Sequence, residues 1–128
     1  MRIDLHTHSS RSDGTDTPRE LMHAAARAGL GVVALADHDT DAGWAEAAGA
    51  VGESGVGLVR AVEVTSSLHG GSQHILSYLH DPARLAPFLE ENRTRRPRRA
   101  RAMVERLEAD FPITWEDVQA QAGDPTTV

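Results

Sequence analysis

The sequence predicts an α/β fold: a parallel sheet with covering helices, open or closed into a barrel. Three observations predict it. Short apolar runs recur through the first eighty or so residues, and stretches with helical periodicity separate the first three of them. The run over residues 32–36 (VVALA) is wholly apolar, as in a strand buried on both faces of a parallel sheet. The resulting order, strand, helix, strand, helix, strand, strand, is that of βαβ units, whose functional residues collect at the carboxyl ends of the strands.

Each element has its own signal. Ile3 and Leu5 mark a first strand that ends in His6 and His8, and Asp13-Gly14 makes the turn after it. Thr17 reads as a helix N-cap, Pro18 as the first helical residue and Glu20 as the acid of a capping box. That helix reaches about Ala28 with Leu21, Ala25 and Ala28 on one face, and Gly29 closes it. The strand over 32–36 leads into Asp37-His38-Asp39-Thr40, then a helix over 42–50 and a glycine-rich turn over 52–57. A third strand spans 58–64 and carries Glu63 near its end. A loop over 66–72 precedes a fourth apolar segment, 75–79, with His74 at its start. Beyond Asp81 the pattern is helical: a short helix over 82–92, a second running to about Ala109, with Pro97 ending one or starting the next, and a last helix over 115–122 capped by Thr114 and Asp117. Residues 123–128 read as a turn.

Composition narrows the chemistry. The 128 residues suffice for one ordinary domain with its own core, and the balance of apolar and charged residues is that of a soluble globular protein. A formal net charge of −6 argues against a wholly nucleic-acid-binding surface. No cysteine is present, which removes disulfides, thiolate sites and cysteine nucleophiles. No lysine is present either; all 13 basic residues are arginine, so Schiff-base chemistry and a P-loop are excluded. There is no G-x-S-x-G elbow, and Gly55-Val56-Gly57 lacks the third glycine of a dinucleotide loop. No run is apolar over the ~18–20 residues of a membrane span, and the N-terminus has no signal-peptide core, so the expected location is the cytoplasm.

A metal site must then use histidine and carboxylate. Side chains two apart on a strand point the same way, so His6 and His8 can grip one ion. Asp37-His38-Asp39, Glu63 and His74 fall near the ends of other predicted strands, where they can converge with that pair. Alone, each has a plainer reading: a solvent-facing His-x-His, a helix cap with a spare histidine, a surface glutamate. Together they favour a site for Zn, Mn or Fe, in which a carboxylate such as Glu63 bridges two ions and a bridging water becomes the nucleophile. His23 reads as an exposed helical residue, His69 as part of a glycine-rich loop, and His80 as a neighbour of the site. Residues 93–101 (RTRRPRRAR) hold six arginines in nine positions. They read as a solvated helix face, a phosphate clamp or a weak nucleic-acid patch, and Arg96 and Arg99, three apart, can share a face.

His6-Thr7-His8, Ser12-Asp13-Gly14, Thr17-Pro18, Asp37-His38-Asp39-Thr40, Val62-Glu63-Val64 and His74-Ile75-Leu76 closely resemble, in order and spacing, the N-terminal half of the PHP (polymerase and histidinol phosphatase) family. The likeness is strongest to its small stand-alone phosphoesterases. The resemblance implies the N-terminal part of a distorted (β/α)7 barrel over residues 1–84, followed by a small helical insert subdomain over 85–128. It implies a site of up to three divalent ions (Mn, Zn, Fe or Mg). His6 and His8 hold one ion, Glu63 bridges to a second held by His74, and Asp13 and His38 hold a third; Glu63, His8 and His38 are the residues closest to the chemistry. It implies hydrolysis of phosphate esters, with members acting on nucleoside 3′,5′-bisphosphates and on the 5′ ends of short RNA, and it makes Arg96 or Arg99 a phosphate contact. Family members run on for about as long again. Their later half brings a histidine after a Gly-Arg-Pro turn and an Asp-x-His pair, so the chain reads as part of a longer enzyme, with a ligand of each ion still to come. Histidinol phosphatase, a polymerase-type PHP nuclease and a non-catalytic metal- or phosphate-binding module are the alternative readings.

Overall fold

The computed structural model describes residues 1–68 and 71–121. His69, and the expected turn over 123–128, lie outside the described residues. Two compact units divide between Ala86 and Pro87.

The first unit is built on four strands: β1 (Arg2–Thr7), β2 (Leu30–Leu35), β3 (Gly57–Leu68) and β4 (Gly71–Tyr78), in that spatial order. β1 and β2 pair in parallel, as do β2 and β3, as in βαβ units. The crossovers carry α1 (Pro18–Arg27) and then α2 (Trp44–Gly49) with α3 (Val51–Ser54). β4 returns antiparallel to β3, with Ala61 opposite Tyr78 and Leu68 opposite Gly71. A connection this short permits no crossover, so the last pair is a hairpin. It is also longer than the apolar pattern predicts. Thr65, Ser66 and Ser67 pair with His74, Gln73 and Ser72, and these polar residues extend the ladder where the sequence reads as loop.

α1 begins as its sequence dictates. The Thr17 side chain accepts from the Glu20 N–H, and the Glu20 carboxylate accepts from the Thr17 N–H at 2.9 Å. Gly29, at φ 73°, supplies the left-handed residue just beyond the helix. The second helical stretch continues past Ala50 as α3, and Gly55 at φ 69° stops it. Both faces of β2 are buried: Val33, Ala34, Leu35 and Ala36 are at most 1% exposed. Ala34 and Ala36 cluster with Ala61, and Val59 and Leu76 pack against them. Met22, Trp44, Ala47, Val56 and Val62 are also buried.

The sheet is strongly curled. In a flat sheet β1 and β4 would lie about 14 Å apart across three strand spacings. Yet the Tyr78 hydroxyl on β4 donates to the Leu5 carbonyl on β1 at 2.9 Å. Ile3 and Leu5, apolar residues of the first strand, are 52% and 47% exposed. This is a barrel wall closed over part of its circumference.

α4 (Pro82–Leu107), which begins in the first unit and runs on in the second, is one helix with Pro87 and Pro97 inside it. The sequence predicts a break at Pro97. A proline removes one helical donor, and the flanking residues (Arg, Ala, Glu, Leu, Met) are strong helix formers, which carry the helix through. α5 (Trp115–Gln121) opens with Thr114 and Asp117 in a reciprocal cap: the Asp117 N–H donates to Thr114 Oγ1 at 3.2 Å, and Thr114 N–H donates to the Asp117 carboxylate at 2.9 Å.

Replacing Thr17 by Ala removes the cap of α1. The expected loss is about 1 kcal/mol of stability, read as a lower urea midpoint with an unchanged slope.

Candidate metal centre

The site forms where the carboxyl ends of β1 and β2 meet the middle of the β3–β4 hairpin. β1 delivers His6 and His8 on one face. Past the end of β2, His38 forms a parallel bridge with Glu63 on β3; the Glu63 N–H donates to Asp37 O and the Asp39 N–H to Glu63 O, both at 3.1 Å. On β4, His74 stands opposite Thr65, two positions beyond Glu63.

Glu63 is the centre of the arrangement and is only 6% exposed. Its Oε2 lies 2.7 Å from His6 Nε2, 3.0 Å from His8 Nε2 and 3.7 Å from His38 Nε2. Its Oε1 lies 2.9 Å from His74 Nδ1. The imidazoles follow one another in a row, with ring centroids 5.0 Å apart for His6 and His8, 4.7 Å for His8 and His38, and 4.9 Å for His38 and His74. Asp13 joins from the turn after β1: its Oδ1 is 3.1 Å from His8 Nδ1 and its Oδ2 3.5 Å from His38 Nε2. Burial pushes the Glu63 carboxyl up, but the His6 hydrogen bond and the charges of His38, His6 and His8 outweigh it and hold the group below its usual range.

Two further carboxylates hold the frame, and the sequence reading passed over their role. Asp37 and Asp39 are each 1% exposed. Asp37 Oδ1 accepts from the Ser9 N–H and the Ser12 hydroxyl, and its Oδ2 from the Ser9 hydroxyl, all at 2.7 Å. It thereby ties the turn that bears Asp13 to the end of β2. Asp39 accepts from the Thr65 N–H at 2.8 Å and the Thr65 hydroxyl at 2.6 Å, and so ties the other side of His38 to β3. Asp39 sits at φ 52°, a left-handed conformation that aspartate tolerates better than most residues. Neither acid is a helix cap; the N-cap of α2 is Gly43 and has no side-chain cap. The sequence signal was two acids closing a wholly apolar strand, a place where a carboxylate must be buried and satisfied. Gly14 completes the turn: a methyl group there would lie on the His8 carbonyl and 2.9 Å from the Ser9 carbonyl carbon.

The structure therefore brings His6, His8, Asp13, His38, Glu63 and His74 together. They form three overlapping groups, His6–His8–Glu63, His8–Asp13–His38 and His38–Glu63–His74, in each of which one ligand atom per residue lies within 4.8 Å of the others. Imidazole nitrogens converging with carboxylate oxygens are the donor set of a divalent transition metal. His80 is not part of it; its ring packs 5.2 Å from Trp44 and hydrogen-bonds Ser77. His23 is half-buried and meets Glu53 at 3.4 Å. Arg96 and Arg99 lie on α4 in the second unit, Arg96 partly buried and Arg99 exposed. No helix among the described residues is long and apolar enough to cross a membrane.

A partial α/β barrel with a histidine–carboxylate centre at the strand ends describes a class of metal-site proteins. The PHP domain family model matches residues 4–107, and the chain belongs to that family. A 5′-3′ exoribonuclease of Haemophilus influenzae is 36% identical over 129 residues, covering 98% of this chain and 47% of its own length. A 3′,5′-nucleoside bisphosphate phosphatase of Chromobacterium violaceum is 43% identical over 109 residues, covering 84% of this chain and 38% of its own length. A crystal structure from Bifidobacterium adolescentis, assigned as a metal-dependent phosphoesterase, superposes with a TM-score of 0.82 at 43% identity and covers 98% of this chain and 46% of its own. The chain thus spans less than half the length of these relatives, and its fold is the N-terminal part of a PHP barrel.

Asp37→Ala takes the acceptor from the buried Ser9 N–H and Ser9 hydroxyl and from the part-buried Ser12 hydroxyl. The expected cost is on the order of 3 kcal/mol, measured by urea denaturation. Restoration of most of it by Asp37→Asn would assign the loss to hydrogen bonding rather than to charge.

Proposed function

We propose that the protein is a metal-dependent phosphoesterase that hydrolyses nucleotide phosphate esters: nucleoside 3′,5′-bisphosphates, the 5′ ends of short oligonucleotides, or both. Residues 1–84 supply the first half of its barrel and residues 85–128 a helical insert. The observation that carries the reading is the division of one buried carboxylate, with Glu63 Oε2 turned to His6 and His8 and Oε1 to His74. A carboxylate shared in this way could hold two ions, one on each oxygen. The names of the two curated relatives support the substrate class.

In this reading His6, His8 and Glu63 hold one ion, Glu63 and His74 a second, and Asp13 and His38 a third. Bound divalent ions supply Lewis acidity toward a phosphoryl oxygen and acidify water near neutral pH. The chain's own residues set the geometry. The Asp13 contact at His8 Nδ1 fixes the ring so that Nε2 faces Glu63. The hairpin ladder holds Glu63 and His74 in register, and the Asp37 and Asp39 ties leave His38 little freedom to turn away. The family resemblance makes Arg96 or Arg99 the candidate phosphate contact, a role for which a guanidinium is suited by its paired donors.

Elemental mass spectrometry of the dialysed protein is the direct test. At least two tightly held ions per chain are expected, and Glu63→Gln is expected to lower metal affinity by ~100-fold or more. Phosphate release from adenosine 3′,5′-bisphosphate and mononucleotide release from a 5′-phosphorylated oligoribonucleotide should stop with chelator and in Glu63→Gln. A Glu63→Gln variant with full metal content and activity would falsify the reading.

A further inference from the structure

None of the six histidine and carboxylate residues of the candidate metal centre comes from the most charged stretch of the chain. From Asn92 to Val104 there is no acid and there are six arginines, in a protein whose net charge is −6. The structure sorts the seven arginines of α4 from Arg93 onward into two sets. Arg93 is paired with Glu90 at 2.6 Å and Arg101 with Glu105 at 3.4 Å, while Arg96 is partly buried. Arg95, Arg98, Arg99 and Arg106 are exposed, and among the described residues none of these four has an ion-pair partner.

The second set shares one side of the helix. Phe88, Arg95 and Arg106 are 7 and 11 residues apart, close to two and three whole turns, and Arg99 follows Arg95 by four. Arg98 borders the same face. The stripe is about 27 Å long at 1.5 Å per residue. Its aromatic member, Phe88, is 61% exposed. A helix face that merely keeps a protein in water usually alternates its charges at i,i+4 spacing, as Arg101 and Glu105 do here. From Arg95 to Arg106 this side carries only positive charge over about three turns, and beyond Glu91 it ends in an aromatic ring.

We propose that this face of α4 is a docking surface for single-stranded polynucleotide. The guanidinium groups neutralise successive phosphates, and the Phe88 ring offers a base a stacking partner. An anionic membrane fits less well. The only large apolar residues α4 exposes, among those described, are Phe88, Met103 and Leu107, too few for the broad apolar face of an interfacial helix. The inference deepens the phosphoesterase reading by choosing a polymer over a mononucleotide as ligand. It is tested without metal, so that the two readings fail separately.

The test is fluorescence anisotropy of the unaltered protein with labelled single-stranded RNA and DNA of one sequence, in chelator, across a salt series. Binding is expected to strengthen with oligonucleotide length and to weaken with salt, with a log–log slope of about −2 for three phosphate contacts. Arg95→Glu with Arg106→Glu should weaken binding ~10-fold or more and flatten the slope by about 1.4. Phe88→Ala should weaken it ~5-fold or more at unchanged slope. Arg93→Glu, at a paired position, should change it least. All these positions are on a helix surface, and circular dichroism checks that each variant folds. A preference for RNA, or equal binding of DNA, supports the surface and names the polymer. Unchanged binding in Arg95→Glu with Arg106→Glu overturns the proposal, as does no binding of either polymer alongside capture by phosphatidylserine vesicles.

Discussion

The first unit is arranged around one buried carboxylate. Removing an ionised glutamate from water is costly, and a packed interior returns that cost only when opposite charge or converging donors surround it. Glu63 meets the condition by drawing side chains from three other segments, β1, the end of β2 and β4. The strand order follows: β3 must lie between β2 and β4, and the sheet must curl for β1 to reach it. The Tyr78–Leu5 hydrogen bond shows that curl directly. Four imidazoles and two carboxylates in one place form a poor hydrophobic core and a good coordination sphere.

Support for the sphere is hydrogen-bonded rather than apolar. Asp37 and Asp39 bracket His38, and each turns its carboxylate back into the protein, toward Ser9 and Ser12 or toward Thr65. Short hydroxyl side chains are suited to this; they fit in a dry space and donate without bringing a charge. Hence the small polar residues near the site are as constrained as the histidines. Gly14 is held by sterics in the same turn.

Much of this was legible in the sequence, and the exceptions have physical causes. The three parallel strands and α1 were readable because apolar runs and the Thr17–Glu20 capping box are local signals. The convergence of the six ligand-type residues was readable because each sits beside the end of an apolar run or in the first turn after one, although His6, Glu63 and His74 lie within their strands. The far end of the β3–β4 hairpin was not, because Thr65 to Ser67 lie away from the core and carry no apolar alternation. Nor was the continuity of α4, since the cost of Pro97 is local while the helix is held along its whole length. The work of Asp37 and Asp39 was hidden for a different reason. Their partners, Ser9 and Thr65, are 28 and 26 residues away in sequence, and no local pattern connects them.

The same separation orders events in time. His6 and Glu63 touch across 57 intervening steps of chain. During synthesis the two histidines of β1 leave the ribosome long before the carboxylate they face, and β4 with His74 comes later still. A His-x-His pair alone offers two nitrogens and holds a divalent ion weakly, whereas the closed sphere offers many more donors. Capture of an ion by all of these donors would thereby wait until β3 and β4 have paired, a late, cooperative step of folding rather than its seed. The nascent chain passes through the metal-containing cell with little means of retaining a wrong ion before the geometry that selects among ions exists.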